Sequence, residues 1–354
     1  MSFYLKCFLL ILLYFGIASK VQFAYSQQLM FSQYYSAGAF LNSASIAEKN
    51  GFEVGLNNRT NINKNLSPYT LRQVSLVFPI KLPRLTSRKY YNDGYLGGLG
   101  LSLYNENQGV YDELQNIGGM FTLGYLARLS LSSYLSFGAQ VGFNFKKLDL
   151  GKLSWGSQFD PTSGYDENIV PSLGDLKESV FFGKINAGLI YRYSPMEIGG
   201  NEAKFSFFQG LAVSNLNKPN ESFFSEQISA LPYTYKIHGG VKYKITKEIE
   251  ILPNYLWMFQ DQKKMINFGL YLNYAINHNN HKQTGITLGS WYRLGDSFIL
   301  LCGLFSNNWT IGLSYDFNVS SLSIQNQSPG AFEINISYKV FRKNRPRNIS
   351  DPLL

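Results

Sequence analysis

The chain is poor in cysteine, histidine and charge. It holds two Cys and three His in 354 residues, and only 16% of its residues are charged, against about a quarter in ordinary globular chains. Beyond the N-terminal segment no run of about 18 apolar residues occurs, which excludes a helical membrane span there. Cys302 is the one cysteine past that segment, so no intramolecular disulfide can form. An exported chain without cross-links must be held together in another way, which is ordinary for a closed β-barrel.

Scarce histidine also narrows the chemistry. His278 and His281 flank two Asn in an expected turn, with no third ligand to complete a metal site. His238 lies in an expected strand with no local nucleophile motif. Gly97-Gly98-Leu99-Gly100 is not followed by a helix pattern, so it is not a phosphate loop. The acids at 160–178 lack calcium-loop spacing. We therefore read no enzyme, no metal and no cofactor. Scattered Lys and Arg on an exported chain likewise argue against a nucleic-acid partner.

Aromatic residues, in contrast, are plentiful. Tyr and Phe number 25 and 27 against 4 Trp, 45% of residues are hydrophobic, and mean hydropathy is −0.12. That composition excludes disorder. The 32 Gly follow no three-residue period, which excludes a collagen-like chain. Residues 1–26 carry the marks of a secretory signal peptide: Lys6, the apolar core Cys7 to Ala18, and Ala24-Tyr25-Ser26 before a cut between Ser26 and Gln27. Its removal lowers the formal charge from +9 to +7.

Period-two alternation dominates the rest. In Phe137–Lys146, Phe, Ala, Val, Phe and Phe take one face and Gly, Gln, Gly, Asn and Lys the other. Trp309–Phe317 and Phe332–Val340 repeat it, as does Ile185–Tyr193 with a lapse at Ile190. Side chains on a strand alternate faces, so each segment has one greasy and one wet side. The segments run about nine to eleven residues, the length of a tilted membrane-crossing strand. Aromatics crowd their ends, as interfacial girdles require. The wet face is rich in Gly, Ser and Asn, which suits a lumen.

These features predict an all-β protein, a transmembrane antiparallel barrel of about 14 strands in the outer membrane. The strands fall near 51–59, 71–80, 94–104, 115–127, 133–147, 178–194, 203–215, 233–245, 249–260, 264–276, 285–294, 296–305, 308–317 and 331–343. Pro253 is expected to interrupt the ninth. The domains are then a signal peptide at 1–26, a lead or plug at 27–50, the barrel at 51–343 and a basic periplasmic tail at 344–354. An even strand count puts both ends in the periplasm and the long connections 148–177, 216–232 and 318–330 outside. Two readings stand for the aromatic lead 27–50: a segment in or against the barrel, and a disordered periplasmic leader. Basic clusters fall on the periplasmic side, at Lys81, Arg84, Arg88 and Lys89 and at Arg342, Lys343, Arg345 and Arg347. They read either as a docking patch for a periplasmic partner or as a solvated surface beside lipid phosphates.

The mature start, Gln27-Gln28-Leu29-Met30-Phe31-Ser32-Gln33-Tyr34-Tyr35 and then Phe40-Leu41-Asn42, resembles the opening of the PorP/SprF proteins of the type IX secretion system of Bacteroidetes. Phe137–Phe143 with Leu148-Asp149, Gly210–Pro219, Trp291-Tyr292-Arg293 and Gly330–Ile334 are similar to later motifs of that family, in the same order. The family's Asp-Pro near the start is Gln28-Leu29 here, the Pro after its Leu-Asn is Ser43, and the His of its middle motif is Asn215. The resemblance implies a non-enzymatic outer-membrane protein that assists secreted cargo, gliding adhesins with a type IX C-terminal domain among them. Its partners would be that cargo, periplasmic or outer-membrane secretion components, and the lipid bilayer. Candidate partner contacts are Phe31, Ser32, Gln33, Tyr34 and Asn42 of the opening motif and the six arginines and lysines Arg84, Arg88, Lys89, Arg342, Lys343 and Arg345, together with Arg347. The alternative is a passive porin or small-solute transporter, with Gln140, Asn144, Arg192 and Asn335 lining its path. A barrel hydrolase using His238 is a third, remoter reading.

Overall fold

The computed structural model describes residues 30–61, 68–81, 95–160, 162, 164–166, 168–169, 174–195, 204–279, 282–319 and 330–340. The expected signal peptide with its Ser26/Gln27 cut, His281, Arg84, Arg88, Lys89, Arg342, Lys343, Arg345, Arg347 and the tail 344–354 lie outside the described residues.

Fourteen strands form the wall: β1 (Phe52–Asn61), β2 (Tyr69–Lys81), β3 (Tyr95–Gln108), β4 (Leu114–Arg128), β5 (Ser133–Leu148), β6 (Ser179–Tyr193), β7 (Phe205–Ser214), β8 (Thr234–Lys244), β9 (Ile249–Gln260), β10 (Lys263–Asn279), β11 (Lys282–Arg293), β12 (Ser297–Ser306), β13 (Trp309–Asn318) and β14 (Gly330–Val340). Each pairs antiparallel with its sequence neighbours. The sheet closes when β1 pairs with β14, from Phe52 opposite Val340 to Asn61 opposite Ala331. Closure leaves no unpaired edge, which is the condition for a sheet to sit in lipid.

The polarity of the two faces is inverted relative to a soluble domain. Leu101, Phe121, Val141, Ile185, Leu288 and Leu313 are exposed on the outer face, while Gln73, Thr122, Gln140, Asn144, Thr287 and Ser314 are buried inside. Apolar side chains turned outward and polar ones turned inward are stable only where lipid replaces water as the outer solvent. With an even number of strands, β1 begins and β14 ends at the same rim. The connections 149–178 and 215–233 leave the far rim, which the short-inside, long-outside habit of such barrels makes the extracellular one. These two loops join each other. The Lys177 amide donates to the Phe223 carbonyl at 2.7 Å, and Asp175 Oδ2 accepts the Ser225 amide at 2.9 Å. A two-residue hairpin, Phe159–Asp160 against Gly164–Tyr165, lies within the first loop.

Pro253 does not interrupt β9. It sits opposite Leu270 of β10 in unbroken register. On the β8 side the pairing stops at Gly240 opposite Asn254 and resumes at Tyr243 opposite Ile251. A proline lacks the N–H for one ladder bond, and here the gap falls on a single side of the strand.

Candidate functional site

Residues 30–50 lie inside the barrel. Gly38–Leu41 form one helical turn, α1. Asn42 follows in extended conformation, and its Oδ1 accepts the Ala44 amide at 2.9 Å, which starts the 3-10 helix Ser43–Glu48. Capping a helix start with an Asn side chain satisfies an otherwise orphaned donor. The Nδ2 of the same side chain donates to the Leu189 and Leu211 carbonyls, each at 3.1 Å, and lies 3.1 Å from His238 Nε2. Asn42 thus buckles the inner segment to β6, β7 and β8.

A glycine row receives the 3-10 helix. Gly98, Gly124, Gly138 and Gly188 are successive partners across β3, β4, β5 and β6. A Cβ on Gly98 would lie 2.6 Å from the Ile46 carbonyl oxygen, and one on Gly124 2.6 Å from the Ala47 nitrogen. On Gly138 and Gly188 it would collide with Ala44 and Asn42. Four missing side chains in one row give the helix backbone its seat against the wall. The Ser43 hydroxyl donates to the Gly138 carbonyl at 3.0 Å.

Charge holds the start of the segment. Glu333 on β14 accepts the Ser32 amide at 2.6 Å and the Gln33 amide at 3.0 Å, one on each carboxylate oxygen. Arg59 on β1 lies 2.9 Å from Asp316 on β13 and 3.7 Å from Glu333. Arg293 on β11 reaches Asp316 at 3.5 Å and Asp296 at 2.9 Å. The Ser32 hydroxyl donates to Asp316 at 2.6 Å and takes a bond from Arg59. Buried charges need partners and further hydrogen bonds to offset their desolvation, and the inner segment completes both. At the other end Glu48 pairs with Arg192 on β6, whose Nε donates at 3.2 Å.

An apolar cluster adjoins this charged set, with Ile299 paired opposite Asp316 on the neighbouring strand. Tyr34 and Leu41 pack in one cluster with Ile190, Phe208, Leu252, Leu256, Trp291 and Ile299 of the wall. Tyr34 meets Trp291 edge-on at 5.3 Å, and Tyr35 meets Phe208 at 5.8 Å, geometries that aromatic quadrupoles favour. Phe31 packs with Tyr69, Leu71 and Tyr104. Burial raises the phenol pKa of Tyr34, with Arg293 partly opposing, and burial raises that of Tyr35 well above its ordinary value.

Of the expected contact residues, Phe31, Ser32, Gln33, Tyr34 and Asn42 are all buried and brought together in this segment. Their side chains are engaged with the wall. The residues expected to line an open path face inward and are also engaged: Gln140 donates to the Ala39 carbonyl at 3.3 Å, Arg192 pairs with Glu48, Asn144 donates to Asn116 at 2.8 Å, and Asn335 to Asn57 at 2.8 Å. His238 is buried against Asn42, and its Nδ1 has no partner among the described residues. Among the described residues no cluster of three metal-ligating side chains occurs. Sequence reasoning does not single out Glu333, Arg59, Asp316, Arg293, Glu48 or the glycine row as site residues, although Arg293, Glu333 and Gly138 fall within the family-like motifs. Their signal was a charged residue on the wet face of an otherwise neutral alternation, and glycine recurring on that same face.

A closed, lipid-facing barrel with a segment of its own chain across the lumen defines the class: an outer-membrane β-barrel protein with an occupied interior. The chain belongs to the PorP/SprF family, whose model, described as type IX secretion system membrane protein PorP/SprF, matches residues 23–338. It is accordingly a membrane component of type IX secretion, located in the outer membrane. No curated protein sequence matches the chain. Among solved structures it is similar to the toluene transporter TbuX of Ralstonia pickettii, with a TM-score of 0.50 and 12% identity over 87% of this chain and 94% of that one. The toluene transporter TodX of Pseudomonas putida gives 0.45 and 11%, over 90% and 94%. The KdgM porin gives 0.34 and 9%, over 82% and 100%. At these identities the TbuX likeness shows the barrel fold alone.

Proposed function

We propose that the protein acts without turnover, assisting the export or surface attachment of type IX cargo, gliding adhesins among them, by protein–protein contact. Residues 1–26 act as the signal peptide, 27–50 as a plug and 344–354 as a basic tail in the periplasm. The partners are a secreted protein with a type IX C-terminal domain and other secretion components in the periplasm or outer membrane. The basic residues Arg84, Arg88, Lys89, Arg342, Lys343, Arg345 and Arg347 serve the periplasmic contact.

The observation that carries this reading is the packing of residues 30–50 against strands on every side of the lumen. A wall whose inward residues Gln140, Asn144, Arg192 and Asn335 are engaged by the chain's own groups offers contact surfaces rather than a solute path. Deleting the gene tests it: a surface adhesin should be lost or shed while uptake of small nutrients stays normal. Normal adhesin display in the deletion strain overturns the reading.

The second reading, a passive porin or small-solute transporter, draws on the fold shared with the toluene transporter TbuX. Liposome swelling separates the two. Steady sugar flux through the purified full-length barrel supports the porin, and swelling no faster than protein-free liposomes supports the contact role.

A further inference from the structure

The outer face of β1–β3 departs from the greasy belt around it. One row runs Ile334, Asn58, Arg72, Asn105, Ile117 across β14, β1, β2, β3 and β4. The three central members are polar and face outward, and the two flanking ones are apolar. One step toward the far rim the row reads Phe332, Thr60, Thr70, Asn107, Gln115. One step toward the terminal rim it reads Ile336, Leu56, Val74, Leu103. A polar notch therefore dips from the extracellular rim into an apolar band, and at the boundary lies a groove of about 440 Å³ lined by residues of both kinds.

Arg72 is exposed on this face, and no carboxylate among the described residues lies within ion-pair distance of it. An outward arginine costs a few kcal/mol deep in the bilayer and little near the interface, where an anion can meet it. Beside it the Oδ1 atoms of Asn105 and Asn107 are shut off from solvent and have no hydrogen-bond partner among the described residues. A buried acceptor without a donor is costly. The groove, lined by both Arg72 and Asn105, thus presents a guanidinium for a phosphate, an amide side chain for a hydroxyl or amide group, and an aliphatic floor for hydrocarbon.

We propose that this groove binds a phosphorylated glycolipid of the outer leaflet, with its phosphate on Arg72, a sugar hydroxyl or amide group on the Asn105 side chain, and an acyl chain along Leu56, Val74 and Leu103. Planar guanidinium suits phosphate through paired N–H donors. Lipid so held is a fixed part of the barrel's outer surface beside the β1–β14 seam.

The test uses the full-length protein in detergent, stripped of lipid and titrated with bisphosphorylated lipid A under native mass spectrometry. One lipid should be retained, and Arg72→Gln should weaken retention about tenfold, the scale of a lost charged hydrogen bond. Asn105→Leu should weaken it less, and Lys147→Gln on the outer face of β5 should leave it unchanged. Arg72→Lys, which keeps the charge, should fall between wild type and Arg72→Gln, and it serves if Arg72→Gln loses its heat-modifiable migration. Equal retention of dephosphorylated lipid A, displacement by inorganic phosphate alone, or indifference to both Arg72 variants overturns the proposal.

Discussion

Glu333 and Ser32 are 301 residues apart in sequence, yet one carboxylate oxygen of Glu333 accepts the Ser32 amide at 2.6 Å. The other accepts Gln33 at 3.0 Å, while Arg59 stands 3.7 Å away. The last strand therefore anchors the start of the inner segment by charge. Glu333→Gln keeps the shape and removes the charge, leaving Arg59 and Arg293 to share Asp316. Losing one partner of such a buried set costs about 3–5 kcal/mol where nothing relaxes. The expected result is a barrel that still closes but whose segment near Ser32 becomes accessible. Hydrogen exchange at residues 31–36 should accelerate by at least about tenfold, with exchange in β5 unchanged.

The glycine row makes a second, steric prediction. Gly138→Val places a side chain where Ala44 now sits, so the 3-10 helix must leave its seat. Ion conductance in planar bilayers should rise from near background to discrete open-channel steps. Gly183→Ala is the control, because its Cβ would meet the nearest atom at an ordinary 3.6 Å.

Alkaline pH should loosen the segment, and neutral or mildly acidic pH should not act through these groups. Burial raises the phenols of Tyr34 and Tyr35 above their ordinary value of about 10. For an acid whose pKa is raised on docking, the stabilisation is fully present below the free value and declines as pH rises through the docked one. Docking should therefore be unaffected by these phenols up to about pH 10 and weaken above it. An ultraviolet phenolate titration should show a late component that is absent in the double variant Tyr34→Phe, Tyr35→Phe.

The lipid face should be intolerant of charge where the loops are not. Leu288, midway along β11 and 53% exposed, is expected to cost about 2–4 kcal/mol when replaced by Arg. Ile228→Arg, in the loop at the far rim and 84% exposed, should be close to neutral. Reversible unfolding in lipid vesicles measures both.

Strand positions were legible because two solvents imprint themselves on alternate residues. The exceptions are instructive. Ile190 breaks the alternation of β6 because it faces inward and packs with Tyr34 and Leu41, an apolar neighbour inside the lumen that local pattern cannot reveal. Leu256 makes Tyr255–Phe259 of β9, and Ile299 and Leu301 make Phe298–Cys302 of β12, read as unbroken apolar runs for the same reason. β10 and β11 extend to Asn279 and from Lys282, past the expected ends, because ladder pairing continues from Asn277 opposite Thr284 into polar sequence beyond a register shift. The sequence leaves the place of the lead 27–50 open between two readings because the partners of residues 30–50 lie across the whole chain. Glu333, Gly138 and His238 bond or seat them from strands that sequence distance does not connect.

Cys302 offers the most direct measurement of the inverted barrel. It is exposed on the outer face midway along β12, with Leu301 beside it buried inside. A nitroxide on Cys302 in reconstituted membranes should collide freely with dissolved oxygen and hardly at all with a water-soluble nickel chelate. Strong relaxation by the nickel chelate, or by neither reagent, would contradict a wall whose outer solvent is lipid.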